Sequence, residues 1–295
     1  LSRYADVAMY AAKTAGKSCW RIYDPEMDEG REIRKLLESE LREAVATGDI
    51  EVMFQPIVEA REGTVSSVEA LARWTSPTQG PVGPAIFIPV AEESGLIVKL
   101  GELVLRKACM AARDWDVCLS VNISPAQFWH QSLVEDILAV LEDCDFPAHR
   151  LELEITEGYL LSRPEVAADV IHRIRSEGIR IALDDFGTGF SSIGYLRRFE
   201  LDRLKLDRSF VECVDTSQQS AEVAKAVIGL SHALNLPITA EGVETSPQAL
   251  FMMLAGCERL QGWHYGKATD AADIAAMLAR PMPVEAAPAL RGMSR

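Results

Sequence analysis

No stretch of the 295-residue chain approaches the roughly 20 uninterrupted apolar residues that a membrane helix needs. The most apolar run, Val82 to Ala91, is broken by Gly83, Pro84 and Pro89, so no membrane contact is expected from this segment. An initiator methionine is missing, and so is the basic-then-apolar order of a secretory signal. We therefore expect a piece of a longer protein, whose upstream part could carry an anchor. Basic charge is scarce: 30 Lys and Arg face 44 Asp and Glu, a formal charge of −14. That balance argues against long nucleic acid as a partner. The six cysteines form no CxxC and no Cys/His pair at zinc spacing, which points to reduced thiols in a cytoplasmic setting. Internal repeats are absent, and 48% hydrophobic with 25% charged residues is the composition of a folding chain.

What is present is an alternation of element types. Before Arg31 there is only a short helical stretch, Tyr4 to Thr14, and an extended piece, Cys19 to Tyr23, ahead of Asp24-Pro25. From Arg31 a helical pattern of Ile33, Leu36, Leu37, Leu41 and Ala44 runs to Thr47 and closes at Gly48. Eight strand candidates follow: Ile50 to Ile57, Val65 to Trp74, Val117 to Ile123, Arg150 to Ile155, Ile179 to Leu183, Arg203 to Leu206, Pro237 to Ala240 and Arg259 to Gly262. Helical patterns fill most gaps, at Lys99 to Trp115, Gln127 to Leu141, Glu165 to Ser176, Ala221 to Leu234 and Pro247 to Leu254. This predicts an α/β fold, a TIM (β/α)8 barrel. Only Val58 to Thr64 separates the first two strands, too little for a parallel crossover, so the barrel is predicted to be modified, its first strand antiparallel to the rest.

Side chains alternate along a strand, so each polar residue can be assigned a face. In Leu151-Glu152-Leu153-Glu154-Ile155 the carboxylates oppose the apolar set, and Asp184 opposes Ile179, Ile181 and Leu183. With helices outside, the polar face looks into the barrel, and its C-terminal members reach the mouth where such barrels carry chemistry. Glu69, Asn122, Glu154, Asp184 with Asp185, Lys205 and Glu241 fit that description, from six strands. Two like charges 4 Å apart repel by roughly 4 kcal/mol at an effective dielectric of 20. Lys205 alone cannot relieve such a set, and its oxygen donors suit magnesium or manganese. Two ions fit, since adjacent Asp184 and Asp185 allow one aspartate to bridge. Phosphodiester hydrolysis is the chemistry such a site favours, with enolisation and sugar processing left open.

At these residues the chain resembles the EAL-domain family of cyclic di-GMP phosphodiesterases, over about residues 33 to 280. The motifs are MFQPI at Met53 to Ile57, EALARW at Glu69 to Trp74, VNIS at Val121 to Ser124, LEITE at Leu153 to Glu157, DDFGTGFSS at Asp184 to Ser192, LKLDRSFV at Leu204 to Val211, AEGVET at Ala240 to Thr245 and QGWHYGK at Gln261 to Lys267. Ala268 stands where the family usually has proline.

The resemblance implies that Glu69, Asn122, Glu154 and Asp184 ligate one Mg2+ or Mn2+ ion, and that Asp184 and Asp185 hold a second, with Glu241 as ligand or general base. Lys205 would orient the attacking water, and Gln55, Leu71, Arg73 and Gln261 would contact substrate, with Trp263 and His264 near the guanine pocket. Glu157 would hold the loop Phe186 to Ser192, including Gly187, Thr188 and Gly189, and couple it to a homodimer interface near Phe186 to Tyr195. The implied reaction opens cyclic di-GMP to linear 5′-pGpG. A silent cyclic di-GMP receptor is the alternative, although no expected ligand is missing. Ala5 to Asp24 resembles the closing helix and strand of a GGDEF diguanylate cyclase domain, whose signature is absent here. The expected organisation is thus a residual GGDEF-like piece and linker at 1–30, the barrel at 31–280 and a flexible tail at 281–295. Outside the site, Ala85 to Gly95 reads as a helix-containing lid or packing element, Trp74 and Trp115 as core, and Asn122 has the bland reading of a cap before Pro125.

Overall fold

Strand Leu151–Thr156 is buried on both faces: Leu151, Leu153 and Ile155 on one, Glu152 and Glu154 on the other. A set of strands buried on both faces belongs to a doubly wound sheet or to a closed barrel with helices outside, and the strand pairing decides for the barrel. The computed structural model describes residues 20, 22–160, 163–187 and 198–279. They divide into two compact units, one running to Ile50 and including Arg73–Leu100, the other made of Glu51–Ala72 and the residues from Gly101 onward.

The strands are β1 (Glu51–Glu59), β2 (Val65–Ser76), β3 (Gly80–Val82), β4 (Cys118–Asn122), β5 (Leu151–Thr156), β6 (Arg180–Phe186), β7 (Arg203–Leu206), β8 (Ile238–Ala240) and β9 (Arg259–Gln261). In the larger unit β2, β4, β5, β6, β7, β8 and β9 follow one another as parallel neighbours. β1 is antiparallel to β9, with Ile57 opposite Gln261, and also pairs with β2, which closes eight strands into the predicted modified barrel. The reversal has a local cause. Glu59 N–H donates to Thr64 O at 2.9 Å and Gly63 N–H to Glu59 O at 2.8 Å, so the chain turns back within five residues.

The helices are α1 (Pro25–Thr47), α2 (Pro84–Glu93), α3 (Ile97–Ala112), α4 (Pro125–Phe128), α5 (Leu133–Asp143), α6 (Glu157–Leu160), α7 (Pro164–Ser176), α8 (Gln218–Ala233), α9 (Ser246–Ala255) and α10 (Ala271–Ala279). In the larger unit Val134, Ile137, Ile171, Ile174, Ile228 and Met252 join the outward residues of the strands in one apolar core, with Trp115 edge-on to Phe54 at 5.1 Å. In the smaller unit, an Arg34–Glu93 pair at 2.8 Å joins α1 to α2, and Trp74 meets Phe87 edge-to-face at 6.0 Å.

Three expectations change. The helix expected from Arg31 begins at Pro25, as befits proline in a first turn. The single helix expected over Gln127 to Leu141 is two. Ser124 and Gln127 form a reciprocal capping box on α4, and Ser132 then spends its hydroxyl on Asp136 at 2.7 Å ahead of α5. The short β3, paired with Trp74–Ser76, was not anticipated, and Gly80 with Pro81 disguises it. The GGDEF-like piece at Ala5 to Asp24 lies almost wholly outside the described residues, as does the tail.

One glycine is fixed by close approach. A Cβ on Gly262 would lie 2.1 Å from the Val243 carbonyl oxygen, where Val243 N–H donates to Gln261 O at 3.0 Å. Gly262→Ala should therefore destabilise the barrel by about 2–4 kcal/mol in urea unfolding, whereas Gly229→Ala, on α8 with open space, should not.

Candidate active site

Parallel register delivers the mouth residues strand by strand. Asn122 pairs with Glu154, Thr156 with Asp184 and Lys205 with Thr239, while Glu241 follows β8 and donates its N–H to Leu206 O at 3.1 Å. Lys205 Nζ stands at the centre. It lies 2.6 Å from Glu154 Oε2 and Glu241 Oε1, 3.6 Å from Glu69 Oε2 and 3.7 Å from Asp184 Oδ1. Glu69 is further held by Asn122 Nδ2, which donates to Oε1 at 2.6 Å, and by Gln261 Nε2, which donates to Oε2 at 2.5 Å. Asn122 thus serves Glu69 across the barrel mouth, and Ser124 takes the capping role.

Burial and charge divide these groups. Side-chain exposure rises from 0% at Glu154 and 2% at Lys205 to 14% at Asp184 and 20% at Glu241, so the last two form the open side. Burial pulls the Lys205 ammonium down, but the four carboxylates overcome it and hold it well above the usual lysine range. Burial pushes Glu154 well above the usual carboxylate range, aided by the charge of Glu69 and opposed by Lys205. The same burial, opposed by Lys205 and aided by Asp184 and Glu69, pushes Glu241 up to about 8. At Glu69 burial is outweighed by Lys205 and the amide hydrogen bonds, which leave it below the usual range.

Asp184 and Asp185 sit at a register shift between Leu183 and Phe186, and Asp185 takes φ 54°. The bulge lets adjacent residues serve one rim, which plain alternation forbids. Burial, Asp184 and Asp207 raise the Asp185 carboxyl. Asp207 was not singled out from the sequence, although it lies two residues beyond Lys205 and so on the same face of the chain. Gln55 donates from Nε2 to Gly266 O at 3.0 Å and accepts from Gln261 at 3.4 Å. Leu71 is half-buried in the same unit, and Arg73 is half-buried in the smaller one. Glu157 is buried, and among the described residues neither of its oxygens has a hydrogen-bond partner. Phe186 is buried and Gly187 packs on the Phe210 ring, while Thr188 and Gly189 lie outside the described residues with the rest of the loop to Arg197.

The polar interior continues below the rim. Ser120 Oγ donates to Glu152 Oε1 at 3.2 Å, and Arg203 Nε lies 3.6 Å from Glu152 Oε2. Glu152 thus lies on the inward face that sequence alternation assigns to it.

Among the described residues, no group of three or more His, Cys, Asp or Glu is arranged to hold a metal ion. The carboxylates converge on Lys205 instead. The donor set nevertheless fits a hard divalent cation: it is all oxygen, its formal charge exceeds what one ammonium balances, and Glu154 Oε1 and Asp184 Oδ1 are buried without a hydrogen-bond partner.

The larger unit is thus a closed mixed-orientation barrel whose acidic mouth is gathered on one lysine. The EAL domain family matches residues 38–268. The solved structure described as the PaMucR phosphodiesterase in complex with c-di-GMP aligns with a TM-score of 0.77 at 36% identity, over 81% of this chain and 99% of that one. A cyclic di-GMP phosphodiesterase, NbdA, from Pseudomonas aeruginosa is 35% identical over 100% of this chain and 38% of its own length. An uncharacterized signaling protein of Caulobacter vibrioides is 41% identical over 96% of this chain and 34% of its own. This chain belongs to the EAL domain family, and it spans between a third and two fifths of the length of those two relatives.

The carboxyl shifts set a pH dependence. Glu241 binds a proton more tightly folded than unfolded, so the stability it contributes is complete below about pH 4.5 and is lost as pH rises to about 8; Glu154 acts in the same direction. Chelator-treated protein should show a falling midpoint of urea unfolding over that interval, and Glu241→Gln should flatten it.

Proposed function

We propose that this chain is a metal-dependent phosphodiesterase that hydrolyses cyclic di-GMP to linear 5′-pGpG. The observation that carries the reading is the convergence of Glu69, Glu154, Asp184 and Glu241 on Lys205 at the open end of the barrel. Kinship with phosphodiesterases from P. aeruginosa, one of them solved with c-di-GMP, supports the choice of substrate.

In this reading Glu69, Asn122, Glu154, Asp184 and Asp185, with Glu241 at the edge, would hold one or two Mg2+ or Mn2+ ions. Such ions supply neutralisation of the phosphate's charge and acidify a coordinated water. Lys205 fixes the Glu154 and Glu241 carboxylates and keeps one positive charge beside the reacting phosphate. Burial pushes the Glu241 carboxyl up to about 8, which makes it the more basic candidate for taking a proton from the attacking water. The water oxygen forms the new bond to phosphorus, the bond to the ribose 3′ oxygen breaks, and that oxygen leaves with a proton. Leu71 and Arg73 are proposed as substrate contacts, Arg73 at a phosphate. A homodimer through the segment near Phe186 to Tyr195, coupled through Glu157, and an upstream GGDEF domain belong to the same proposal.

Incubated with cyclic di-GMP and Mg2+ or Mn2+, the protein should release linear product. Glu69→Ala should lower turnover by roughly 100-fold or more, and a chelator should abolish it reversibly. Tight binding without product under both metals would assign the silent-receptor alternative.

A further inference from the structure

Two residues away from Glu69 in the hydrogen-bond chain stands a group of fixed polarity: the backbone carbonyl of Gly266 only accepts. Gln55 Nε2 donates to it at 3.0 Å, which turns Gln55 Oε1 toward Gln261. That oxygen also only accepts, so the Gln261 amide must present its NH2 group, which lies 3.4 Å from Gln55 Oε1 and 2.5 Å from Glu69 Oε2. A flipped Gln261 amide would set its own oxygen against two acceptors, one of them a carboxylate, in a site where Gln261 is only 4% exposed. Each amide is thus oriented by its neighbour, beginning at the Gly266 carbonyl and ending at Glu69.

The loop that carries this carbonyl is itself held. A Cβ on Gly266 would lie 2.9 Å from Pro56 Cγ, so the backbone rests directly on the residue next to Gln55. The same loop bears Trp263, 62% exposed, with Lys267 Nζ 4.6 Å from its ring centre. An exposed indole beside an ammonium suits a base and its phosphate.

We propose that Gln55 is a positioning residue: it registers where the Gly266 carbonyl stands and, through the Gln261 amide, fixes the hydrogen-bond donor to Glu69. The Trp263–Lys267 loop and Glu69 then respond to one another. The coupling to turnover rests on the phosphodiesterase reading, but the relay itself does not.

Two variants test it. Gln55→Leu removes donor and acceptor together, and Gly266→Ala pushes the carbonyl off Pro56 while leaving every side chain of the relay in place. The first readout is the pair of Gln261 side-chain amide protons, followed by nitrogen-15 NMR in nucleotide-free, metal-free protein. Parent protein should show them well separated and slow to exchange with solvent. Gln55→Leu should speed that exchange about tenfold or more, and Gly266→Ala should shift them in the same direction. The second readout is kinetic. Both variants should lose kcat, Gln55→Leu by roughly 10-fold as for loss of a neutral hydrogen bond, with KM changed less than about threefold.

Gln261 amide protons that stay at parent values in both variants would overturn the relay. A rise in KM alone, with those protons unmoved, would make Gln55 a direct substrate contact instead. Should parent protein fail to hydrolyse the cyclic dinucleotide, the amide readout still decides the relay and only the assigned activity falls.

Discussion

One ammonium carries the electrostatics of this domain. Lys205 Nζ is buried among four carboxylates that would repel one another by several kcal/mol per close pair without it. Removing lysine and carboxylates from water is costly, and the cost is met only where geometry and further hydrogen bonds are good. Here two contacts at 2.6 Å and the amides of Asn122 and Gln261 meet it in part. The remainder shows as raised carboxyls and unpartnered oxygens, the features that leave room for a divalent cation.

The barrel exists in the form that makes this arrangement possible. Parallel strands bring their C-terminal ends to one rim, so residues separated by nearly two hundred positions, such as Glu69 and Gln261, come within hydrogen-bonding distance. The tight return after β1 costs the fold one strand direction. It also sets β1 beside β9, which is why Gln55 can reach both Gln261 and Gly266. The bulge at Asp184 and Asp185 is a second local departure with a similar effect, since it brings neighbouring carboxylates to one rim. Below the rim, Ser120, Glu152 and Arg203 show that the interior is polar for more than one storey.

Chemistry and kinship converge from different directions. The donor set is hard and oxygen-rich with a cation already at its centre, which suits a phosphate ester better than a neutral substrate. The proposed cyclic dinucleotide rests on kinship with EAL domain phosphodiesterases, a step that donor chemistry alone does not take. The oriented amides of Gln55 and Gln261 add a physical route by which the loop bearing Trp263 can report on Glu69.

Much of this was legible in the chain. Alternation of Leu151, Leu153 and Ile155 with Glu152 and Glu154 marked a strand with a polar interior face, and the short Val58 to Thr64 gap marked the reversal. These signals are local, set by side-chain period and chain length, and a linear reading captures them. The break between α4 and α5 was hidden because apolar spacing runs across it, while the Ser124 and Ser132 hydroxyls that precede the two helices leave that spacing unchanged. Asn122 as donor to Glu69, the recruitment of Asp207 beside Asp185, and the direction in which each glutamine amide points were decided only by tertiary structure. Each depends on which groups meet across strands and on which of them can only accept a proton, and sequence distance encodes neither.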